Sequence, residues 1–287
     1  MIIHPWQPDK TATGIGSAAG FRRSGPPVVP INESYFPLHM APLNEITIGS
    51  RPGKLNDLRS ADPNYLLSAA WQSSWHEPLR RLALQRFAAQ ADLAADRHRL
   101  GAEPLIVVKE PNGSHATDML FELLPGSRLI FLLRDGRDVV DSMLAADGPG
   151  GWRARRSESA AVASEAERLA YVRHSAWLWL LRTEATERAV AALPPTQSLT
   201  VRYENLLADT AAELGRIDSW LGLNRSVGEL TKIARAQRFG SLRNRLRRNK
   251  GVRAASPGLW RDNLSSSEAA AVEALIGDKL AALDYPV

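Results

Sequence analysis

Three polar side chains stand where an anion could be held. Lys109 closes the apolar run LIVV at 105–108, Arg134 closes RLIFLL at 128–133, and Ser142 follows Arg134 by eight residues. Continuous Val, Ile and Leu runs mark strands buried in a parallel sheet, and open α/β sheets bind their ligands beyond the strands' carboxyl ends. Two cations at two such ends point to an anionic ligand. Helical patterning then runs from Asp135 to Ala145, and the amides that open a helix favour a phosphate. Ser142, about two turns along, could bond the same ligand's oxygens. The competing reading is a strand, a turn and a helix with a surface ion pair, because Arg-Asp-Gly is common turn chemistry.

The elements that would position these groups follow from pattern. Strands are expected at 105–109, 128–133 and, from its β-branched content, at 198–203 in SLTVRY. Helices are expected over about 115–124, 136–145, 160–192, 205–222, 226–236 and 266–283, the last capped by Ser265 or Ser266 with Glu268 nearby. Leu66, Ala70, Leu79, Leu82 and Phe87 give helical spacing within 64–100, with a break near Pro78. The stretch AWLWLLR at 176–182 reads as core, since Trp at helical spacing usually packs. Residues 1–30 are dense in Gly and Pro, with brief extended signals only at Val28-Val29 and Ile31 to Phe36. Strands alternating with helices imply a mainly parallel sheet covered on both faces. The run RFGSLRNRLRRNKGVR, 238–253, taken alone, reads as a nucleic-acid patch or a solvated helix face.

At 287 residues the chain can bury a sizeable core, and one domain over 1–287 is expected, with an irregular start at 1–27 that is disordered or truncated. Hydrophobic residues at 44% and charged residues at 23% are ordinary globular values and exclude wholesale disorder. A net charge of +5 and a pI near 9.7 suit a polyanionic ligand, although charge governs association and not fold. The chain has no cysteine, which excludes disulfides, thiolate metal sites and cysteine nucleophiles. No apolar run approaches the ~18 residues of a membrane span and no signal peptide opens the sequence, so a cytoplasmic protein is expected.

RLIFLLRDGRDVVDSML resembles the segment by which bacterial-type sulfotransferases bind the 3′-phosphate of 3′-phosphoadenosine-5′-phosphosulfate (PAPS). The resemblance implies an α/β, three-layer P-loop NTPase-like fold with a central, mainly parallel sheet flanked by helices. In that family an Arg ends a strand and a Ser on the next helix completes the phosphate site, which are the places of Arg134 and Ser142. A Lys at a strand end near the sulfuryl group balances charge on the bridging oxygen, and Lys109 in VVKEPNGS matches it. Glu33 in INESYF resembles the base that takes the acceptor's proton, with His39 and His115 as second choices, since imidazole titrates near neutral pH. Glu110 is expected to be a turn residue. SLTVRYENLLAD resembles the strand whose Tyr contacts the adenine end, which implies that role for Tyr203. RRNKGVRAASPGLW resembles a late Arg-Lys-Gly loop before a Gly-x-Trp, so Arg248, Lys250, Gly251, Gly258 and Trp260 are carried over, with Asn249 interrupting the Arg-Lys pair. Amides around Gly251 could form an anion nest.

The family begins with a strand and a loop of the type Gly-x-x-Arg-Ser-Gly-Thr-Thr that grips the 5′-phosphosulfate. GFRRSGPP, 20–27, has Arg23, Ser24 and Gly25, but Pro26 and Pro27 replace the hydroxyl residues, and no helix fits between Gly25 and Glu33. Ile3-His4-Pro5 is similar to a His-Pro that follows the family's first helix, which implies a shortened start or a degenerate member, and a sheet lacking its central strand. The expected function is transfer of a sulfuryl group from PAPS to a hydroxyl or amine of a small-molecule or carbohydrate acceptor, without a metal and without a membrane. The alternatives are an inactive nucleotide- or partner-binding relative and a basic nucleic-acid binder, the latter the less favoured.

Overall fold

The apolar runs form the strands expected of them. The computed structural model describes residues 2–5, 28–32, 67–94, 105–109, 114, 116–148, 151, 164–237 and 256–286. Strands β1 (Ile2–Pro5), β2 (Val28–Asn32), β3 (Leu105–Lys109), β4 (Arg128–Leu133) and β5 (Ser198–Arg202) make one sheet in the order β2-β3-β1-β4-β5. The helices are α1 (Gln72–Ala94), α2 (Thr117–Leu123), α3 (Gly136–Asp147), α4 (Glu165–Ala192), α5 (Tyr203–Ala208), α6 (Thr210–Leu221), α7 (Val227–Gln237), α8 (Trp260–Asn263) and α9 (Ser266–Ala282). The chain is α/β. It divides into two compact units, one of Met1–Phe131, Ala185–Thr200 and Trp220–Asn224, the other of Leu132–Glu184, Val201–Ser219 and Arg225–Val287.

In the first unit β2 runs parallel to β3, pairing Val28 with Leu105 and Asn32 with Lys109. β1 is antiparallel to both neighbours, with Ile2 level with Val108 on one side and Leu129 on the other. Thus β2, β3 and β4 share a direction, and β1 opposes them from between β3 and β4. This corrects the expectation of an empty middle place in the sheet, which β1 fills. A strand inserted there satisfies backbone donors and acceptors of both flanking strands that the sheet interior would otherwise leave unpaired.

The first core lies against β3. Ile106 and Val108 alternate inward along the strand and meet Met119, Leu120 and Leu123 of α2 and Trp75, Ala83 and Phe87 of α1. Pro78 does not break α1, contrary to expectation. Trp75, Leu79, Ala83 and Phe87 recur every four residues, one face of a helix, and that face is seated in the core. The packing of this stripe outweighs the roughly 3 kcal/mol that a mid-helix Pro costs by removing one N–H and crowding the preceding turn. The Trp75 indole N–H also donates to the Ser68 carbonyl at 2.9 Å. Leu82, expected within the apolar pattern, is instead 53% exposed, because it lies off the stripe.

In the second unit Val140, Leu144, Val172, Ala176, Val201, Val272, Ile276 and Leu280 are buried. Gly136 opens α3 where a Cβ would lie 2.6 Å from Ile276 Cδ1 and 2.8 Å from Trp179 Cδ2, so a side chain there has no room. α9 starts with the expected capping box, Ser265 bonding the Glu268 amide and Glu268 the Ser265 amide. The single helix expected over 205–222 is two. Asp209 ends α5 and its carboxylate accepts the Ala212 amide at 3.0 Å, the behaviour of a residue that starts a new helix.

Candidate functional site

β4 ends at Leu133, and the next residue, Arg134, turns its guanidinium over the ring of Tyr203 at 4.6 Å. Tyr203 is not the end of β5 as expected: β5 closes at Arg202 and Tyr203 is the first residue of α5. Strand passes to helix without a loop, so two strand ends fix the Arg134–Tyr203 pair. The Trp179 indole N–H donates to the Arg134 carbonyl at 3.2 Å and secures the backbone. Arg134 Nε is buried and has no hydrogen-bond partner among the described residues. A buried guanidinium N–H without an acceptor is costly, and an anion beside it would remove that cost.

The ion pair in the Arg-Asp-Gly-Arg turn belongs to Arg137, not Arg134, and it is buried. Arg137 is 3% exposed and grips Asp135 twice, Nε to Oδ1 at 3.1 Å and Nη2 to Oδ2 at 2.9 Å. Asp135 also caps α3 by accepting the Arg137 amide at 2.9 Å, and the Asp135 amide donates to Glu204 Oε1 at 3.0 Å. Carboxylates therefore already occupy two of the amides that open α3, those of Asp135 and Arg137. Among the described residues of this turn, Arg134 keeps a buried N–H without an acceptor.

α3 also ties down the Gly-x-Trp. Asp138 accepts the Gly258 amide at 2.8 Å and the Trp260 amide at 3.3 Å, and Asp141 accepts Asn263 Nδ2 at 3.0 Å. Burial pushes the Asp138 carboxyl above its ordinary range, and Asp135 adds to this, against the two amides and Arg134, which pull it down. Two guanidiniums approach the Trp260 ring, Arg137 at 4.5 Å and Arg261 at 4.6 Å from its centroid. Ser142, one turn beyond Asp138 on α3, is exposed.

Of the expected site residues, the second unit thus brings Arg134 against Tyr203 and holds Gly258 and Trp260 on α3, the helix that carries Ser142. Lys109 ends β3 in the first unit, exposed. Glu33, His39, Glu110, His115, Arg248, Lys250 and Gly251 lie outside the described residues. Sequence reasoning missed Asp135, Arg137, Asp138 and Glu204. An Asp immediately before a helical pattern signals a cap, so Asp135 was within reach. Glu204 and Asp138 were not, because their partners lie 69 and 120 residues away.

A guanidinium with an unpaired buried N–H beside an aromatic face suits a ligand that joins an anion to a planar ring. Among the described residues no group of three or more His, Asp or Glu is placed to hold a metal ion, and no described helix is long and apolar enough to cross a membrane.

Comparison with known proteins gives three findings. No curated protein matches the chain. Among solved structures it is similar to the sulfotransferase STF9 from Mycobacterium avium, at 17% identity and a TM-score of 0.44 over 76% of this chain, and it spans 50% of that chain's length. It is also similar to a retinol dehydratase in complex with androsterone and the inactive cofactor PAP, at 16% identity and a TM-score of 0.46, over 91% of this chain and 82% of that one. A family model described as "Sulfotransferase family" matches residues 48–226. That stretch contains Lys109, Arg134, Ser142 and Tyr203, and it makes up more than half of the sequence. The chain belongs to the sulfotransferase family.

Proposed function

We propose that the chain moves a sulfuryl group from PAPS to a hydroxyl or amine of a small-molecule or carbohydrate acceptor. The observation that carries this reading is Arg134: a cation at a strand's carboxyl end, laid over an aromatic ring, with a buried N–H that has no acceptor among the described residues. A 3′-phosphate would supply the acceptor, and Tyr203 would flank the adenosine. Ser142 would add a hydroxyl from α3, and Arg248, Lys250 and Gly251 would close on the same phosphate.

The chemistry asked of the remaining residues is limited. Glu33 takes the proton of the acceptor's O–H or N–H as that atom bonds to sulfur. The bond from sulfur to the 5′-phosphate's bridging oxygen breaks, and Lys109 balances the charge left on that oxygen. Fixed cations supply the electrostatic stabilisation, the usual largest contribution in such transfers.

Calorimetric titration with adenosine 3′,5′-bisphosphate tests the reading. We expect saturable binding that Arg134→Ala weakens about 10- to 100-fold, the range for a lost charge-assisted hydrogen bond. Binding without any sulfate transfer to a panel of phenols, alcohols and amines would identify an inactive nucleotide-binding relative. Absence of bisphosphate binding alongside salt-sensitive DNA affinity would favour the nucleic-acid reading of residues 238–253.

A further inference from the structure

The last described residues turn back on the site. Tyr285 donates its amide to the Leu280 carbonyl at 2.9 Å, which folds the chain against the end of α9, and the residue is 6% exposed. Asp284, at φ 58, makes the bend. Arg202 covers the Tyr285 ring at 4.9 Å and also donates to the Leu283 carbonyl. Arg137 Nη2 donates to the Pro286 carbonyl at 2.7 Å.

These contacts bracket the Arg134–Tyr203 pair. Arg202 immediately precedes Tyr203, and Asp135 to Arg137 immediately follow Arg134. Glu204 joins the two sides, taking the Asp135 amide on Oε1 at 3.0 Å and the Tyr285 hydroxyl on Oε2 at 3.2 Å. Burial, and then the charge of Glu204, raise the Tyr285 hydroxyl well above the ordinary tyrosine range, so it remains a donor at every pH of interest.

We infer that Tyr285 is a positioning residue for the anion site, holding Glu204 so that Glu204 fixes the start of α3 and thereby Arg134. The inference rests on the proposed function for the identity of the anion. It rests on the Tyr285–Glu204–Asp135 chain for the mechanism. A tyrosine kept only for its bulk would need the ring and not the hydroxyl.

Tyr285→Phe removes the hydroxyl and keeps the ring under Arg202. In the full chain, amide hydrogen exchange over 134–138 is expected to accelerate by about tenfold, with exchange across α9 unchanged. Affinity for adenosine 3′,5′-bisphosphate is expected to fall about fivefold with Tm nearly constant, whereas Tyr285→Ala, which also loses the ring, lowers both. Glu204→Gln, which removes the charge at the bridge, should reproduce the exchange change of Tyr285→Phe. Unaltered exchange over 134–138 in Tyr285→Phe overturns the inference, and so does equal affinity for the bisphosphate. Failure of the unmodified chain to bind bisphosphate overturns the proposed function, and with it the anion that Tyr285 would help to place. The two failures are therefore distinguishable.

Discussion

Lys109 and Arg134 carry the same charge and are asked for different work. Arg134 offers a rigid planar fork beside an aromatic ring, which suits a bound phosphate; Lys109 is a compact, exposed point charge at the end of β3. If Lys109 acts on the departing oxygen, its charge matters most when that bond breaks. Lys109→Ala should therefore lower kcat by about 10²- to 10³-fold while changing bisphosphate affinity less than about threefold. Parallel titration and steady-state rates check this, and a matched loss of affinity would move Lys109 into ground-state binding. Arg134 was legible in the sequence because a cation after an apolar run is a local pattern. The residues that fix its surroundings were not. Glu204, Asp138 and Tyr285 act across chain separations of 69 to 120 residues, and nothing near them in sequence marks their partners.

The elements were more legible than their ends. β3 and β4 emerge at their expected bounds because buried strands are written as unbroken apolar runs. α1 was misjudged at Pro78, where tertiary packing of the Trp75, Leu79, Ala83 and Phe87 stripe overrides a local breaker. Pro78 is exposed, so Pro78→Ala should restore a backbone hydrogen bond without disturbing the core and raise stability by about 1–3 kcal/mol, read by denaturant midpoint. The start of α9 supplies a pH test. Burial alone would raise the Glu268 carboxyl, but Arg168 and the Ser265 amide outweigh it and hold Glu268 below its ordinary 4.5. A carboxyl lowered by folding stabilises the protein fully above 4.5 and loses that contribution as pH falls through the lower folded value. Glu268→Gln should therefore be less stable than the parent at pH 7, with the gap narrowing under acid, in thermal melts across that range.

For the whole molecule, the net charge of +5 suits both ligand classes, and salt dependence separates them. Release of counterions makes log K fall with log salt in proportion to the phosphates neutralised, so a mononucleotide bisphosphate should give a slope of about 1–3 and a nucleic acid one of about 5 or more. A steep slope for a short oligonucleotide together with a flat response to the bisphosphate would favour the basic run at 238–253 as the binding surface. The α/β class was readable from alternation alone. The reversal of β1 was not, because four residues that read Ile-Ile-His-Pro say nothing about which way they run in a sheet.

The division into two units has a consequence for inheritance. The chain passes between them at 131, 184, 200, 219 and 224, so each is assembled from three separate stretches. No single crossover between genes, and no single proteolytic cut, can exchange or release one unit intact. The stretch that carries Arg134 and the stretch that carries Tyr203 are separated by residues 185–200 of the other unit. An engineered chimaera that keeps Arg134 and Tyr203 together must therefore carry residues 185–200 as well.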